Sequence, residues 1–312
     1  MPISVIVNPA SRGGWVSRNW LELEAMLRRE LGDVTVHRTE RPGHGRMLAK
    51  QAVDAGATTL VSFGGDGTHS EVVSGIVDAG DAGKNVTLGI LHAGTGGDFR
   101  KLLLASEDLA ASCRVIVEKE ASPIDAGEVT FEAHSGAPET RVFLNIASLG
   151  MGGLVDQYVA GQSKKLPGKA NYFLASVRAF FGYTPATVDV DVDGKRMGSF
   201  TISNLCVCNG QYAGGGMHFA PNARLADGLF DVVVLEHAPL AKSLGVAKGL
   251  YDGSHVRSPL VHVTQGKHVV VAPTTPARAW MDIDGEAPGF APAEFKVLPK
   301  ALRVHGVRPE FR

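Results

Sequence analysis

At 312 residues, with 44% hydrophobic and 20% charged side chains, the chain has the composition of a soluble globular protein long enough for two cores. A formal net charge of −1 argues against nucleic-acid binding, which calls for a basic domain, and no apolar run is long enough to span a bilayer. The start, Met1-Pro2-Ile3-Ser4-Val5, has no basic region and no long apolar run, so no signal peptide is expected. Cys113, Cys206 and Cys208 lack metal-ligand spacing, and the last two alternate in an apolar strand pattern as buried thiols do. A cytoplasmic location is the simplest reading.

Ile3 to Val7 reads as a short apolar strand that ends in Asn8-Pro9-Ala10-Ser11-Arg12-Gly13-Gly14, and Trp15 to Leu31 then repeats apolar residues with helical period. Val34 to His37 is a second strand leading to Thr39, and Gly45 to Ala55 a helix. Thr58 to Phe63 is β-branched and apolar, as a buried parallel strand should be. It runs into Gly64-Gly65-Asp66-Gly67-Thr68, after which Val72, Val73 and Ile76 mark a helix over Glu71 to Val77. Thr87 to Leu91 is a fourth strand, ending in His92-Ala93-Gly94-Thr95-Gly96-Gly97-Asp98-Phe99. Strands alternating with helices predict a parallel sheet covered on both faces. The glycine turns at 8–14, 64–68 and 94–98 all fall at strand carboxyl ends, where such sheets bind ligands. In the middle turn, glycine is expected to supply positive φ and room for a ligand, and the first helix amides to face an anion. An ordinary tight turn accounts for one or two glycines, but less well for a carboxylate held inside it with Thr68 behind.

From Ile124 the texture changes to closely spaced strand-like runs, among them Arg141 to Ser148, Ala186 to Val192, Lys195 to Cys208, Leu229 to Glu236 and Ala279 to Ile283. These predict a mainly antiparallel β-sandwich or flattened barrel. Phe295 to Val304 is strand-like again and is expected to return to the first domain. The expected domains are therefore 1–122 with 296–312 returning, and 123–295. One helix, Asn171 to Tyr183, carries an aromatic face behind Lys164, Lys165 and Lys169. It reads first as a core helix, with part of its face free to line an apolar cleft or to lie against lipid headgroups.

The stretches VNPASRGG, GGDGTHSEVVSG, GTGGDF, NARLADGLFDVVVL and DIDGE occur in this order. Together they resemble the diacylglycerol kinase catalytic-domain family, in particular its soluble bacterial lipid kinases. The resemblance implies an ATP-binding, phosphofructokinase-like α/β domain, a β-sandwich domain for the lipid, and Mg²⁺-dependent phosphoryl transfer from ATP to a lipid hydroxyl in a cleft between them. It places Asn8, Pro9, Ala10, Ser11 and Arg12 on part of the nucleotide, with Thr39 a further contact. It makes Gly64, Gly65, Gly67, Thr68 and Glu71 the phosphate cradle, with Asp66 near the catalytic Mg²⁺, and has Gly94 and Thr95 contact the nucleotide. Glu286 would be the general base, and Asp227 with the main-chain carbonyls of Arg224 and Leu229 would bind a second, structural Mg²⁺. The partner implied is a lipid met at the membrane surface, and a homodimer is a family-level expectation. From the residues alone, alternation sets Asp282 and Asp284 on one side of a strand with Glu286 beyond Gly285, and a solvated Asp-Gly hairpin is a serious rival to a catalytic site.

The chain departs from the family pattern at Ser70 and Gly97, where asparagine is usual, and at His92-Ala93, where proline is common. These departures motivate a second reading, a non-catalytic nucleotide- or lipid-binding regulator on the kinase fold. A third is a small-molecule kinase of the NAD kinase type, which shares a related glycine-aspartate-glycine turn. A hydrolase built on Ser11 or Ser70 lacks a partnered histidine, and His69 reads as incidental.

Overall fold

The structure is a computed structural model that describes residues 3–94, 96–161, 178–179 and 182–312. It divides into two compact units, Met1–Ala126 with Leu225–Asp227 and Leu298–Arg312, and Gly127–Arg224 with Gly228–Val297.

In the first unit, strands β1 (Ile3–Val7), β2 (Val34–Arg38), β3 (Thr59–Gly64) and β4 (Thr87–His92) are all parallel, in the order β4-β3-β1-β2. The end of the last strand, β16 (Gly289–His305), runs parallel beside β4, with Arg303 opposite Thr87. Every residue of β3 is buried, which explains its unbroken apolar sequence: a parallel strand is covered on both faces. The helices are α1 (Ser11–Arg18), α2 (Trp20–Leu31), α3 (His44–Asp54), α4 (Asp66–Asp78), the single turn α5 (Asp81–Lys84) and α6 (Leu109–Glu118). In α2, Trp20, Leu23, Leu27 and Leu31 recur at helical spacing and pack with Val5, Val61, Phe63 and Leu91.

Two local expectations change here. The run from Trp15 to Leu31 is divided at Asn19, and α1 begins earlier, at Ser11, with Arg12, Gly13 and Gly14 in the left-handed region. Helix α4 begins at Asp66 rather than Glu71, so the aspartate is its first residue and not part of a free loop. Gly75 of α4 lets α3 come close: a Cβ there would lie 2.3 Å from the Arg46 carbonyl oxygen and 2.7 Å from Ala49 Cβ. Gly75→Val is therefore expected to destabilise the protein by about 1–3 kcal/mol through overpacking. Urea unfolding measures this, and an unchanged midpoint would show that the helices part without cost.

The second unit is mainly antiparallel. Strands β13 (Val261–Gly266), β12 (Phe230–Glu236), β9 (Lys195–Cys208), β8 (Ala186–Val192) and β14 (His268–Pro273) follow one another, and β16 continues from β14. The long strand β9 also pairs with β7 (Ile146–Gly150), which in turn pairs with β15 (Met281–Ile283). Strand β5 (Ala121–Ala133) forms a hairpin with β6 (Pro138–Phe143), and a two-stranded ribbon, β10 (Tyr212–Ala213) with β11 (Met217–His218), completes the set. Alternate residues of β8 and β9, with Phe143, Phe230 and Phe295, fill the core. All three cysteines are buried free thiols, as alternation suggests for Cys206 and Cys208.

The single strand expected over Arg141 to Ser148 is two strands, β6 and β7. Between them Leu144 and Asn145 give their amides to the Asp284 carboxylate instead of to a strand ladder. Helices at Met151–Gly161 (α7) and Leu240–Gly249 were not read from the sequence. Glycines in both, and exposed Leu240 and Leu244 in the second, blur any apolar stripe. The expected helix Asn171 to Tyr183 and its lysines lie almost wholly outside the described residues. Among the described residues no helix is long and apolar enough to cross a membrane.

Candidate functional site

The parallel sheet brings the carboxyl ends of β1, β3 and β4 together, and side chains tie the three turns to one another. Asn8 folds the first turn by accepting the Ala10 N–H on Oδ1 at 3.0 Å, and its Nδ2 donates to Thr68 Oγ1 in the second turn at 3.1 Å. Ser11 is buried and Arg12 exposed, its guanidinium 5.2 Å from the Trp15 ring centre. Pro9 and Ala10 complete the bend, and Thr39 joins its rim by donating its N–H to the Val7 carbonyl at 2.9 Å. The second and third turns nearly touch. A Cβ on Gly94 would lie 2.9 Å from Gly65 Cα, and one on Gly64 would lie 2.4 Å from Thr68 Oγ1. Gly64 and Gly94 thus serve close approach; positive φ, expected of the middle turn, belongs instead to Gly13, Gly14 and Gly97.

Asp66 Oδ2 accepts the Gly97 N–H at 3.0 Å, joining the start of α4 to the third turn. Burial raises its carboxyl above the usual carboxylate range, against the opposing pull of His92, with Nδ1 3.9 Å from Oδ1, and of the Gly97 N–H. The amides preceding that of His69, whose N–H bonds the Gly65 carbonyl, open the helix toward an anion. Glu71 faces away from the cradle. Its Oε1 accepts the Gly43 N–H and its Oε2 the Gly45 N–H, each at 2.7 Å, capping the start of α3. Thr95 lies outside the described residues.

His69 is not incidental. It is buried, with Nδ1 2.7 Å from Ser62 Oγ and Nε2 3.3 Å from His92 Nδ1. Burial, and then the His92 charge, push its pKa down to about 3, so the imidazole is neutral. The pair went unread because the contact crosses from β3 and α4 to β4, and only the His92-Ala93 departure marked one of its members.

In the second unit, DIDGE makes a tight hairpin. Ile283 and Glu286 exchange backbone hydrogen bonds at 2.8 and 3.0 Å, and Asp284 (φ 49°) and Gly285 (φ 89°) are both left-handed, as a type I′ turn requires. Alternation of Asp282 and Asp284 along one strand is therefore corrected, since β15 ends at Ile283 and Asp284 sits in the turn. Its carboxylate accepts the N–H groups of Leu144, Asn145 and Ile146 at 2.8, 3.0 and 3.1 Å. Burial pushes it up to about 7 despite those three donors, and the Asp282 charge adds to the rise. Asp282 accepts Ser148 Oγ–H at 3.2 Å and the Gly285 N–H at 2.8 Å. Glu286 is the outward member: its side chain is 52% exposed, and Arg141 Nη1 holds Oε2 at 3.1 Å.

Arg224, Asp227 and Leu229 lie on the irregular segment before β12, with Asp227 exposed beside left-handed Gly228. Among the described residues no three His, Cys, Asp or Glu side chains are grouped to hold a metal. Magnesium needs no such group, because it takes one or two carboxylates and completes its shell with water and phosphate oxygens. Asp66 fits that demand.

Glycine turns thus stand at the carboxyl ends of a parallel sheet, and a mainly antiparallel β unit follows in the chain. Residues 2–129 match the diacylglycerol kinase catalytic domain, and residues 145–306 match the YegS C-terminal NAD kinase beta sandwich-like domain. The chain belongs to the diacylglycerol kinase catalytic-domain family, with the YegS-like C-terminal domain. It is 27% identical over 308 residues to a diacylglycerol kinase of Bacillus subtilis (strain 168), covering 98% of this chain and 96% of that one. A crystal structure of a diacylglycerol kinase from Bacillus anthracis str. Sterne shares the fold with a TM-score of 0.70 at 18% identity, over 100% of this chain and 98% of that one. Yeast NADH kinase complexed with NADH has a TM-score of 0.54 at 13% identity, over 99% of this chain and 84% of that one.

Proposed function

We propose that the protein is an ATP- and Mg²⁺-dependent lipid kinase that phosphorylates the free hydroxyl of a diacylglycerol-like lipid at the cytoplasmic membrane surface. The observation that carries this reading is the meeting of three glycine turns around Asp66 in a chain of this family. Asn8 to Arg12, Thr39, Gly64 to Thr68, Gly94 and Thr95 hold the nucleotide, and the open start of α4 receives its phosphates. Asp66 would hold Mg²⁺, which would supply positive charge to offset that of the phosphates. Glu71 acts from behind, fixing α3 against the cradle. The lipid hydroxyl oxygen forms a bond to the γ-phosphorus as the bond to the leaving ADP oxygen breaks, and the hydroxyl proton passes to the Glu286 carboxylate. Asp227 with the carbonyls of Arg224 and Leu229 would hold a second, structural Mg²⁺. A cleft of about 450 Å³ lined by Leu154, Tyr158, Ala277, Arg278 and Trp280 offers apolar surface for the acyl chains.

The test is transfer of labelled γ-phosphate from ATP to detergent-dispersed diacylglycerol, monoacylglycerol, phosphatidylglycerol and a sphingoid base, with NAD as a soluble acceptor. Labelled diacylglycerol, lost on chelating Mg²⁺, is the expected result. ATP binding without label on any lipid would instead make the protein a regulator on the kinase fold. Label on NAD alone would make it a small-molecule kinase.

A further inference from the structure

The third turn is built over a histidine that the reaction above does not use. The His92 side chain is only 7% exposed, yet among the described residues its buried Nε2 has no hydrogen-bond partner. That atom lies against the glycines of the turn. A Cβ on Gly97 would lie 2.8 Å from it and one on Gly94 2.9 Å, so any side chain at either position would run into the ring at this nitrogen.

Proton placement follows from the hydrogen bonds. Ser62 is fully buried in β3, and among the described residues the one partner of its hydroxyl is His69 Nδ1, so Ser62 donates to it. His69 is neutral and already accepts on Nδ1, which puts its proton on Nε2, and Nε2–H donates to His92 Nδ1. His92 accepts on Nδ1, so its proton is on Nε2. The chain Ser62, His69, His92 thus ends in an N–H that is unpaired among the described residues, beneath the glycine turn that also bonds Asp66. An unmet buried donor is costly and calls for a ligand.

We propose that His92 Nε2–H is a hydrogen-bond donor to a phosphate oxygen of the bound nucleotide, and that Gly97 lacks a side chain so that none stands over this donor. The inference rests on the nucleotide site proposed above and adds a positioning residue to it. The backbone amides of α4 and the His92 N–H offer donors from two elements, which suits a phosphate better than a planar base.

Three measurements test it. In protein labelled with ¹⁵N-histidine, the free enzyme should show His92 as the neutral Nε2–H tautomer. ATP and tripolyphosphate should shift that resonance and adenosine should not; a shift with inorganic phosphate as well would identify a general phosphate donor. A resonance indifferent to every phosphate compound, or the opposite tautomer, overturns the proposal. His92→Phe keeps the ring volume and should weaken ATP binding about tenfold, the range of a hydrogen bond to a charged group, without changing adenosine affinity or the KM for lipid. Because Phe also strands the His69 donor, His92→Gln, which carries an amide N–H, provides the second variant and should restore most of the affinity. A folded His92→Phe that binds ATP like wild type, or that loses adenosine and ATP affinity together, refutes the assignment. The kinase reading fails separately: ATP-dependent shifts at His92 without label on lipid would leave the donor in place and remove the proposed reaction.

Discussion

Glu286→Gln is expected to slow phosphoryl transfer to lipid about 10²–10⁴-fold, the usual worth of a positioned base, while ATP affinity and thermal unfolding stay as in wild type. Glutamine has nearly the same shape, and the hairpin that presents residue 286 is made of backbone bonds to Ile283 that the substitution does not touch. What disappears is an oxygen able to take a proton. The Arg141 contact sharpens the expectation, since its guanidinium fixes one carboxylate oxygen at 3.1 Å and steers the side chain as it leaves the turn. Arg141 also bonds Glu139 at 2.6 Å, so Arg141→Ala frees two carboxylates at once and is the less clean variant. Initial rates of label transfer at saturating ATP give the comparison. Equal rates in the two proteins would take Glu286 out of the base role.

How far such roles can be read beforehand depends on the range of the contacts that create them. Strand β3 was legible because a buried parallel strand writes its environment directly into its residues. The three glycine turns were legible as positions, but the reasons for their glycines were not. Gly97 needs positive φ, whereas Gly64 and Gly94 need nearness to Thr68 and to Gly65, a property of the folded sheet. The Ser62–His69–His92 chain was invisible for the same reason. Gly64 lies opposite His92 only in the parallel register of β3 and β4, and no local spacing encodes that pairing. The alternation rule failed at Asp284 because it presumes a strand, and Asp-Gly had already begun the turn. Glu71 stood correctly beside the phosphate turn in sequence, yet its carboxylate faces the start of α3. In each case residue type predicted an element or a turn, and tertiary contacts decided what the side chain did there.

Asp284 provides the largest expected effect on stability. Its two oxygens satisfy the three consecutive amides that separate β6 from β7, and its own N–H returns a bond to the Ile146 carbonyl at 3.1 Å. Asp284→Ala leaves those three donors without their acceptor, and the left-handed φ of 49° suits alanine less well than aspartate. A loss of about 3 kcal/mol or more is expected, with unmet buried donors costing about 1–3 kcal/mol each and water relieving part of it. Asp284→Asn should lose less, because its oxygen can still serve Asn145 and Ile146 while its amide faces the single Leu144 donor. The two variants also separate charge from shape. With the native carboxyl raised from 3.8 to about 7, the folded state holds more proton than the unfolded state between those values. Stability from this group is then complete below about pH 4 and declines as the pH rises toward 7. Asparagine does not titrate, so the gap between wild type and Asp284→Asn should be widest near pH 4 and narrow by pH 8. Urea unfolding at a series of pH values measures this directly. A gap that instead widened with rising pH would mean that the three amides hold the carboxylate in its charged form and outweigh the cost of its burial.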